Sequence, residues 1–186
     1  QALAGADALA DLTPDRHQAC WAVAAVEPPV PLLAAAEPRE VRPPLPPPEE
    51  GEAILQDYHS LGLSLRRHPL ALLRPQLRRR GCLSAAEVAA KPARAGLWVA
   101  GLVLVRQRPG KGNAVFVTLE DETGILNLVI WRHLAERQRR VLLQARLLAA
   151  WGELQRADGV QHLVARRLED LSDLLGELEI ESRDFR

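Results

Sequence analysis

The segment Leu97 to Arg108 limits the fold more than any other, because it is apolar on both parities: Val99, Val103 and Val105 alternate with Trp98, Leu102 and Leu104. A strand with two apolar faces is either covered on both sides or curled into a core. Gly101, in its middle, is the residue that permits a sharp curl, as closing a barrel requires. Gly152 holds the same place in a second apolar segment, Leu147 to Gln155. A closed sheet accounts for both glycines.

The residues around these two segments supply the rest of such a sheet. Pro109-Gly110-Lys111-Gly112-Asn113 reads as a turn. Val115, Val117 and Leu119 then form an inward row, with Phe116, Thr118 and Glu120 facing outward. Asp121-Glu122-Thr123-Gly124 is a tight connection to a third strand, Ile125 to Trp131. Arg132 to about Leu143 reads as one amphipathic helix through Leu134, Val141 and Leu142. After the fourth strand, Ala157-Asp158-Gly159 is a hairpin turn of the Asp-Gly type, and Val160 to Arg167 is the fifth strand. Three strands, a helix and two strands within about 70 residues is the element order of an OB-fold, a five-stranded Greek-key barrel. The expected class is therefore α+β: an OB-fold β-barrel over residues 96–168, preceded by short helices and a proline-rich linker.

Residues 1–27 read as short helices. An apolar segment from Gly5 to Leu12 breaks at Thr13-Pro14, where Thr13 is the expected N-cap of a helix from Asp15 to about Val26. Trp21 is its expected packing anchor. Residues 28–50 contain nine prolines, including Pro43-Pro44-Leu45-Pro46-Pro47-Pro48, and favour an extended, semi-rigid linker. Residues 51–95 read as a helical connector: Ile54, Leu55, Tyr58 and Leu61 share a helix ended by Gly62. Ser64 is placed to cap the turn before a helix from Leu70 to Leu77, and His68, preceding a proline, is read as a turn or packing residue. Ser84-Ala85-Ala86-Glu87 is a capping box. Residues 169–186 form an acidic tail.

Composition excludes more than it selects. The chain has 186 residues and 24 basic against 24 acidic side chains, so it has no overall basic excess. Cys20 and Cys82 stand in no metal-ligand spacing and read as two free thiols of a cytoplasmic protein. No apolar run reaches the roughly 18 residues of a membrane span, and the alanine-rich start lacks the basic region of a signal peptide. No methionine occurs, even at position 1, so the chain is expected to be the end of something larger.

An OB barrel holds oligonucleotides through stacked aromatics and cationic loops. Loops 109–114 and 155–160 would flank the binding face. The candidates are Arg106, Arg108 and Lys111 at the first loop, outward Phe116 on the second strand, Trp131 and Arg132 at the end of the third, and Arg156 in the last loop. Phe116 either stacks on a base or lies beneath the extra helices, and Trp131 is either structural or a second stacking residue. Trp98 and Trp151 are expected in the core. Six arginines in 15 residues, Arg66, Arg67, Arg74, Arg78, Arg79 and Arg80, form either a solvated face or a set of phosphate contacts. Arg66, Arg67, Arg78, Arg79 and Arg80 are the candidates for the second role.

Val99-Ala-Gly-Leu-Val-Leu-Val-Arg-Gln-Arg-Pro-Gly-Lys-Gly112, followed by Phe116-Val-Thr-Leu-Glu-Asp-Glu-Thr-Gly124, resembles the OB domain of bacterial family C DNA polymerases. Leu61-Gly-Leu-Ser-Leu-Arg-Arg-His-Pro-Leu70 is similar to the segment preceding that domain, and Ala4-Gly-Ala-Asp-Ala-Leu9 with Arg16 and Trp21 to the end of the family's helix-hairpin-helix region. The ending Ser182-Arg-Asp-Phe-Arg186, 18 residues past the expected barrel, resembles the error-prone branch of the family rather than the replicative one. The resemblance implies a DNA-directed polymerase acting in damage-induced mutagenesis and translesion synthesis, with single-stranded template DNA on the barrel. It also implies two accessory partners: a catalytically inactive Y-family-like protein that carries the sliding-clamp contact, and a RecA-like protein. The family's Mg²⁺-binding aspartates lie in a Pro-Asp-x-Asp pattern of the palm domain. The one Pro-Asp here, Pro14-Asp15, is followed by Arg16-His17, so neither catalytic residues nor a cofactor are expected in this stretch.

Two other readings follow from the same residues. The barrel and its acidic tail, Glu169 to Glu181, would serve as a docking module for accessory subunits, which neutral net charge favours. A free-standing anticodon-binding OB domain shares the spacing of the second and third strands, but the helical segment upstream matches the polymerase instead.

Overall fold

The computed structural model describes residues 1–26, 43–110, 112–157 and 160–180. Most of the expected linker, Lys111, the Asp158-Gly159 turn and residues 181–186 lie outside the described residues. The described residues fall into two compact units, within 1–66 and 67–180. Among them, no helix is long and apolar enough to cross a membrane.

The first unit contains α1 (Ala2–Gly5), α2 (Arg16–Ala24) and α3 (Glu50–Leu61), and the buried side chain of Arg16 joins α2 to α3. Its guanidinium donates to the Ala53 carbonyl at 3.2 Å, to the Gln56 side-chain oxygen at 3.1 Å and to the Asp57 carboxylate. Burial alone would raise the Asp57 carboxyl, but the hydrogen bonds from Arg16 and Ser64 outweigh it and hold the group below its ordinary value. The start of α2 departs from expectation. Asp15, not Thr13, is the N-cap, its carboxylate accepting from the Gln18 amide at 3.0 Å. Thr13 instead donates to the Leu9 carbonyl at 3.1 Å; beside a helix N-terminus an ionised carboxylate is the better acceptor. Residues 6–12 are turns rather than helix, with Asp7 in the left-handed region. Gly62 closes α3 in that same conformation, as its position predicts. Ser64 caps the turn that follows, as expected: its hydroxyl oxygen accepts from the Arg66 N–H at 3.1 Å while the hydroxyl donates to Asp57 at 2.7 Å.

The second unit starts with α4 (Pro69–Arg79), capped by His68, whose Nδ1 accepts from the Leu70 amide at 3.1 Å. Two residues, Cys82–Leu83, form β1, too short to show a period in the sequence. The Ser84–Glu87 capping box starts α5 (Ala85–Ala89) as expected. The barrel consists of β2 (Gly96–Gln107), β3 (Ala114–Asp121), β4 (Gly124–Trp131), β5 (Leu147–Ala157) and β6 (Val160–Asp170). Between β4 and β5 lie α6 (Arg132–Arg137) and α7 (Arg139–Gln144), and α8 (Asp173–Ile180) follows β6.

Strand β2 pairs with β5 over Gly96–Leu102 and with β3 over Leu102–Gln107, so a single strand closes both sides of the barrel. Gly101 sits at the changeover, where a Cβ would stand 2.8 Å from Leu119 Cβ and 2.9 Å from the Glu120 carbonyl oxygen. On β5, a Cβ at Gly152 would overlap the Val164 carbonyl oxygen and lie 2.9 Å from Ala165 Cα. The sheet order is β1-β2-β3-β4-β6-β5, closed by β2–β5. β4 and β6 run parallel and the other barrel pairs antiparallel, which is the five-stranded mixed barrel of an OB-fold. β1 adds to it in parallel with β2.

Val99, Val117, Leu119, Leu128, Ile130, Leu148, Ala150, Leu154 and Leu163 fill the barrel, with Leu134 and Leu142 of α6 and α7 in the same cluster. The inward parity of β2 and β5 therefore belongs to Val99 and Ala150. Trp98 and Trp151, opposite each other in register, point outward, and Trp151 is 41% exposed. They are not core residues: an all-apolar strand does not reveal its inward parity. The single helix expected over 132–143 is broken at Gln138. There the side-chain amide turns to β6, donating to the Leu168 carbonyl and accepting from its N–H, both at 2.9 Å. Past β6, Leu171, Leu174 and Leu175 are buried, so the first part of the acidic stretch packs as structure.

The buried Asp121 ties these parts together. One carboxylate oxygen accepts from the Thr123 N–H at 2.7 Å, the Thr123 hydroxyl at 2.7 Å and the Gly124 N–H at 3.0 Å. The other accepts from the Ala85 N–H at 2.7 Å and from Arg74 at 3.2 Å, and Arg74 also meets Glu122 at 2.7 Å.

Two stability predictions follow from these contacts. Gly152→Ala must displace backbone, and the urea midpoint of the variant is expected to report a loss of about 3 kcal/mol or more; a loss under about 1 kcal/mol would show that the strands part easily there. Burial lowers the His68 imidazole below its ordinary value despite Glu120, Glu122 and Asp121 nearby. The unfolded chain therefore takes up the proton first, and His68 contributes a loss of stability as pH falls below about 6.5. His68→Asn keeps a capping acceptor without the titration, so its stability should fall less than wild type between about pH 7.5 and about pH 5. Parallel pH profiles of the two proteins would contradict this.

Candidate nucleic-acid interface

The outward face of β3 and β4 is exposed in part, while Ala114 and Val129 on it are buried with Val164. Phe116 lies opposite Gln107 of β2 and Val129 of β4, and Thr118 opposite Val105 and Asn127. Phe116 is 44% exposed, and Val105 and Ile125 are exposed with it. This is a pleated surface with apolar and amide side chains and an aromatic ring that no helix covers, which is what a stacked base needs.

Cations occupy its ends unevenly. At the end where β2 turns into β3, a cleft of about 300 Å³ opens between the loop and the two helices. Val115, Ala135 and Leu142 are among its apolar lining, and Arg106, Arg108, Arg132 and Arg139 are the cations around it. Arg132 pairs with Glu136 at 2.7 Å and, with a smaller contribution from Arg108, holds that carboxyl below its ordinary value. Trp131, also 44% exposed, shares an adjoining open recess with Asn113 and Arg132. Among the described residues, Arg108 and Arg139 make no hydrogen bond. Arg139 did not stand out in the sequence; the break at Gln138 restarts the helix at this residue and brings it to the cleft.

Two of the expected loop cations, though exposed, are held at helix ends. The Arg106 guanidinium donates to the Leu142 carbonyl at 2.6 Å and to that of Ala145, at the C-terminal end of α7. Arg156 donates to the carbonyls of Ala89 and Lys91, at 2.6 and 2.9 Å, beyond the end of α5. Both sit where a helix dipole and unpaired carbonyls favour a cation. Arg156 lies near the N-terminal end of β2, whereas Arg108 follows its C-terminal end. Lys111 lies outside the described residues.

The connector arginines are divided as well. In the first unit, Arg66 meets Asp7 at 2.8 Å and Asp57 at 3.4 Å. Arg78 pairs with Glu87 at 3.1 Å and Arg80 with Glu169 at 3.6 Å, both on the surface. Arg67 has interactions of its own, whereas Arg79 is exposed and makes no ion pair among the described residues. Exposed pairs of this kind are weak and exchange readily for a phosphate.

The closed five-stranded barrel is that of an OB-fold, and residues 97–171 match the family model described as "OB-fold nucleic acid binding domain". Over nearly its whole length, the chain is homologous to one segment of bacterial proteins named error-prone DNA polymerase. It is 52% identical over 185 residues to that of Xanthomonas campestris pv. campestris, covering 99% of this chain and 17% of the relative. With that of Alkalilimnicola ehrlichii it shares 52% identity over 186 residues, 100% of this chain and 18% of the relative. The chain thus spans less than a fifth of these curated relatives. Among solved structures, the asparaginyl-tRNA synthetase of Pyrococcus horikoshii is 22% identical over 48% of this chain and 23% of its own, with a TM-score of 0.41, too distant to bear on function.

If Arg106 is a helix cap, Arg106→Ala should destabilise the chain by about 2 kcal/mol through two abandoned carbonyls. Thermal or urea denaturation checks this, and an unchanged midpoint would return Arg106 to the list of free cations.

Proposed function

We propose that the chain is the OB-fold region of a bacterial error-prone DNA polymerase and that its β3–β4 face holds single-stranded template DNA. The observation that carries this reading is Phe116, exposed in the middle of a partly exposed strand face. A base stacks on the ring, neighbouring Val105 and Ile125 supply apolar contact, and phosphates run toward Arg108, Arg132 and Arg139 at the cleft. Trp131 offers a second stacking surface at that end. Arg79, with the weakly paired Arg78 and Arg80, offers further phosphate contacts at the end of α4, away from this face, whereas Arg106 and Arg156 act through the helices they cap. None of these contacts reads a base edge, so binding is sequence-tolerant and salt-sensitive.

On this reading the parent protein carries out template-directed phosphoryl transfer with Mg²⁺ held in a palm domain outside these residues. Its role is synthesis across damaged template in damage-induced mutagenesis, beside an inactive Y-family-like protein and a RecA-like protein. A docking role for the acidic end has narrower scope than the sequence suggests, since Leu171, Leu174 and Leu175 are committed to packing.

Anisotropy titration of the chain with a labelled oligothymidylate tests the face. Phe116→Ala with Arg108→Ala should weaken binding about tenfold or more and flatten its dependence on salt. Equal affinity and equal salt slope in the double variant would remove the β3–β4 face from the binding surface.

A further inference from the structure

Away from the β3–β4 strip, the barrel carries a second exposed aromatic row. In the strand order, β5 lies between β2 and β6, on the side of the barrel opposite the β3–β4 pair. Across these three strands Trp98 stands opposite Trp151, and Trp151 opposite Arg167. The Arg167 guanidinium lies 5.7 Å from the Trp98 ring centroid, close enough for a cation–π contact that holds both groups in place. Trp151 is 41% exposed. Beside the row is a depression of about 260 Å³ with Ala149 and Leu171 among its lining residues and Arg80, Arg167 and Glu169 as its charges.

The basic stretch of the connector leads to this place. Arg79 and Arg80 end α4, and two residues later Cys82 of β1 is in register with Trp98. The patch therefore has two arginines against one glutamate, and that glutamate is already paired with Arg80 at 3.6 Å. In a chain whose charges balance overall, a local cationic excess around an exposed indole fits a polyanion with flat faces better than an acidic or purely apolar protein surface. Trp151 thus presents part of an indole face to solvent beside Arg167.

We infer that the Trp98–Trp151–Arg167 row is a second contact surface for single-stranded nucleic acid. A base stacks on Trp151, Arg167 is held in place over Trp98, and phosphates are met by Arg80 and Arg167. The inference rests on the nucleic-acid reading of the barrel and extends it: a strand long enough to leave the Phe116 face continues around the barrel instead of running into solvent.

The test compares three proteins, wild type, Phe116→Ala, and Trp151→Ala with Arg167→Glu, each as the full chain with denaturation curves recorded alongside. Two oligothymidylates serve as probes, one of about 8 and one of about 30 nucleotides, below and above the span of a single OB face. The row variant should bind the short probe like wild type and the long probe about tenfold more weakly, with part of the tryptophan quenching lost. Trp151→Phe, which keeps a ring and the fold, should restore most of the long-probe affinity when Arg167 is left in place. If wild type and the row variant bind the long probe equally while Phe116→Ala weakens both probes, the second surface is wrong and the first stands. If wild type binds neither probe, the reading of the barrel itself fails, and this inference with it.

Discussion

The carboxylate of Asp121 is the contact on which the arrangement of the second unit depends. It is buried and accepts five hydrogen bonds from three separate places: its own turn, the first amide of α5, and Arg74 of α4. A buried anion is tolerable only when donors replace the water it has lost. Here each donor belongs to an element that must be correctly placed for the barrel to be covered. The turn between β3 and β4 is thus shaped by the helices around it, and they by the turn. The outward direction of Phe116, five residues earlier on β3, follows from that same registration.

A second theme is the use of arginine to finish helices. Arg106 and Arg156 bind carbonyls at and just past the ends of α7 and α5. Because the guanidinium presents several donors in a plane, one side chain can satisfy two backbone carbonyls at once. The cationic surface that remains for a ligand is correspondingly smaller than the arginine content suggests. It is concentrated at Arg108 and Arg139 by the cleft and at Arg79 and Arg80 near β1.

Much of the fold was legible from residue pattern. Gly101 and Gly152 marked the barrel closure because no other residue fits where two strands cross closely. Ser84 and Glu87 marked a helix start through a reciprocal hydrogen-bond pattern that is local in sequence. The failures share a cause: each depended on a partner remote along the chain. Thr13 was a plausible cap until Asp15 proved better placed, and His68, expected as a turn or packing residue, caps α4. The tryptophans of β2 and β5 were placed inside because apolar runs do not declare which parity faces in. Likewise, a loop arginine gives no sign of whether it stays free or binds a helix end, so Arg106 was expected free and Arg139 was not singled out.

The amide of Gln138 has an effect beyond interrupting a helix. β4 is in register with β6 only at Leu128–Leu163 and Val129–Val164, and the last residues of β6 run on past that pairing. At Leu168, the amide both donates to the carbonyl and accepts from the N–H, as a neighbouring strand would. One side chain thus stands in for a missing strand at the point where the barrel's seam opens. An open seam invites a strand from another molecule; sealing it with a residue already held by two helices protects the barrel from edge-to-edge association without lengthening the sheet.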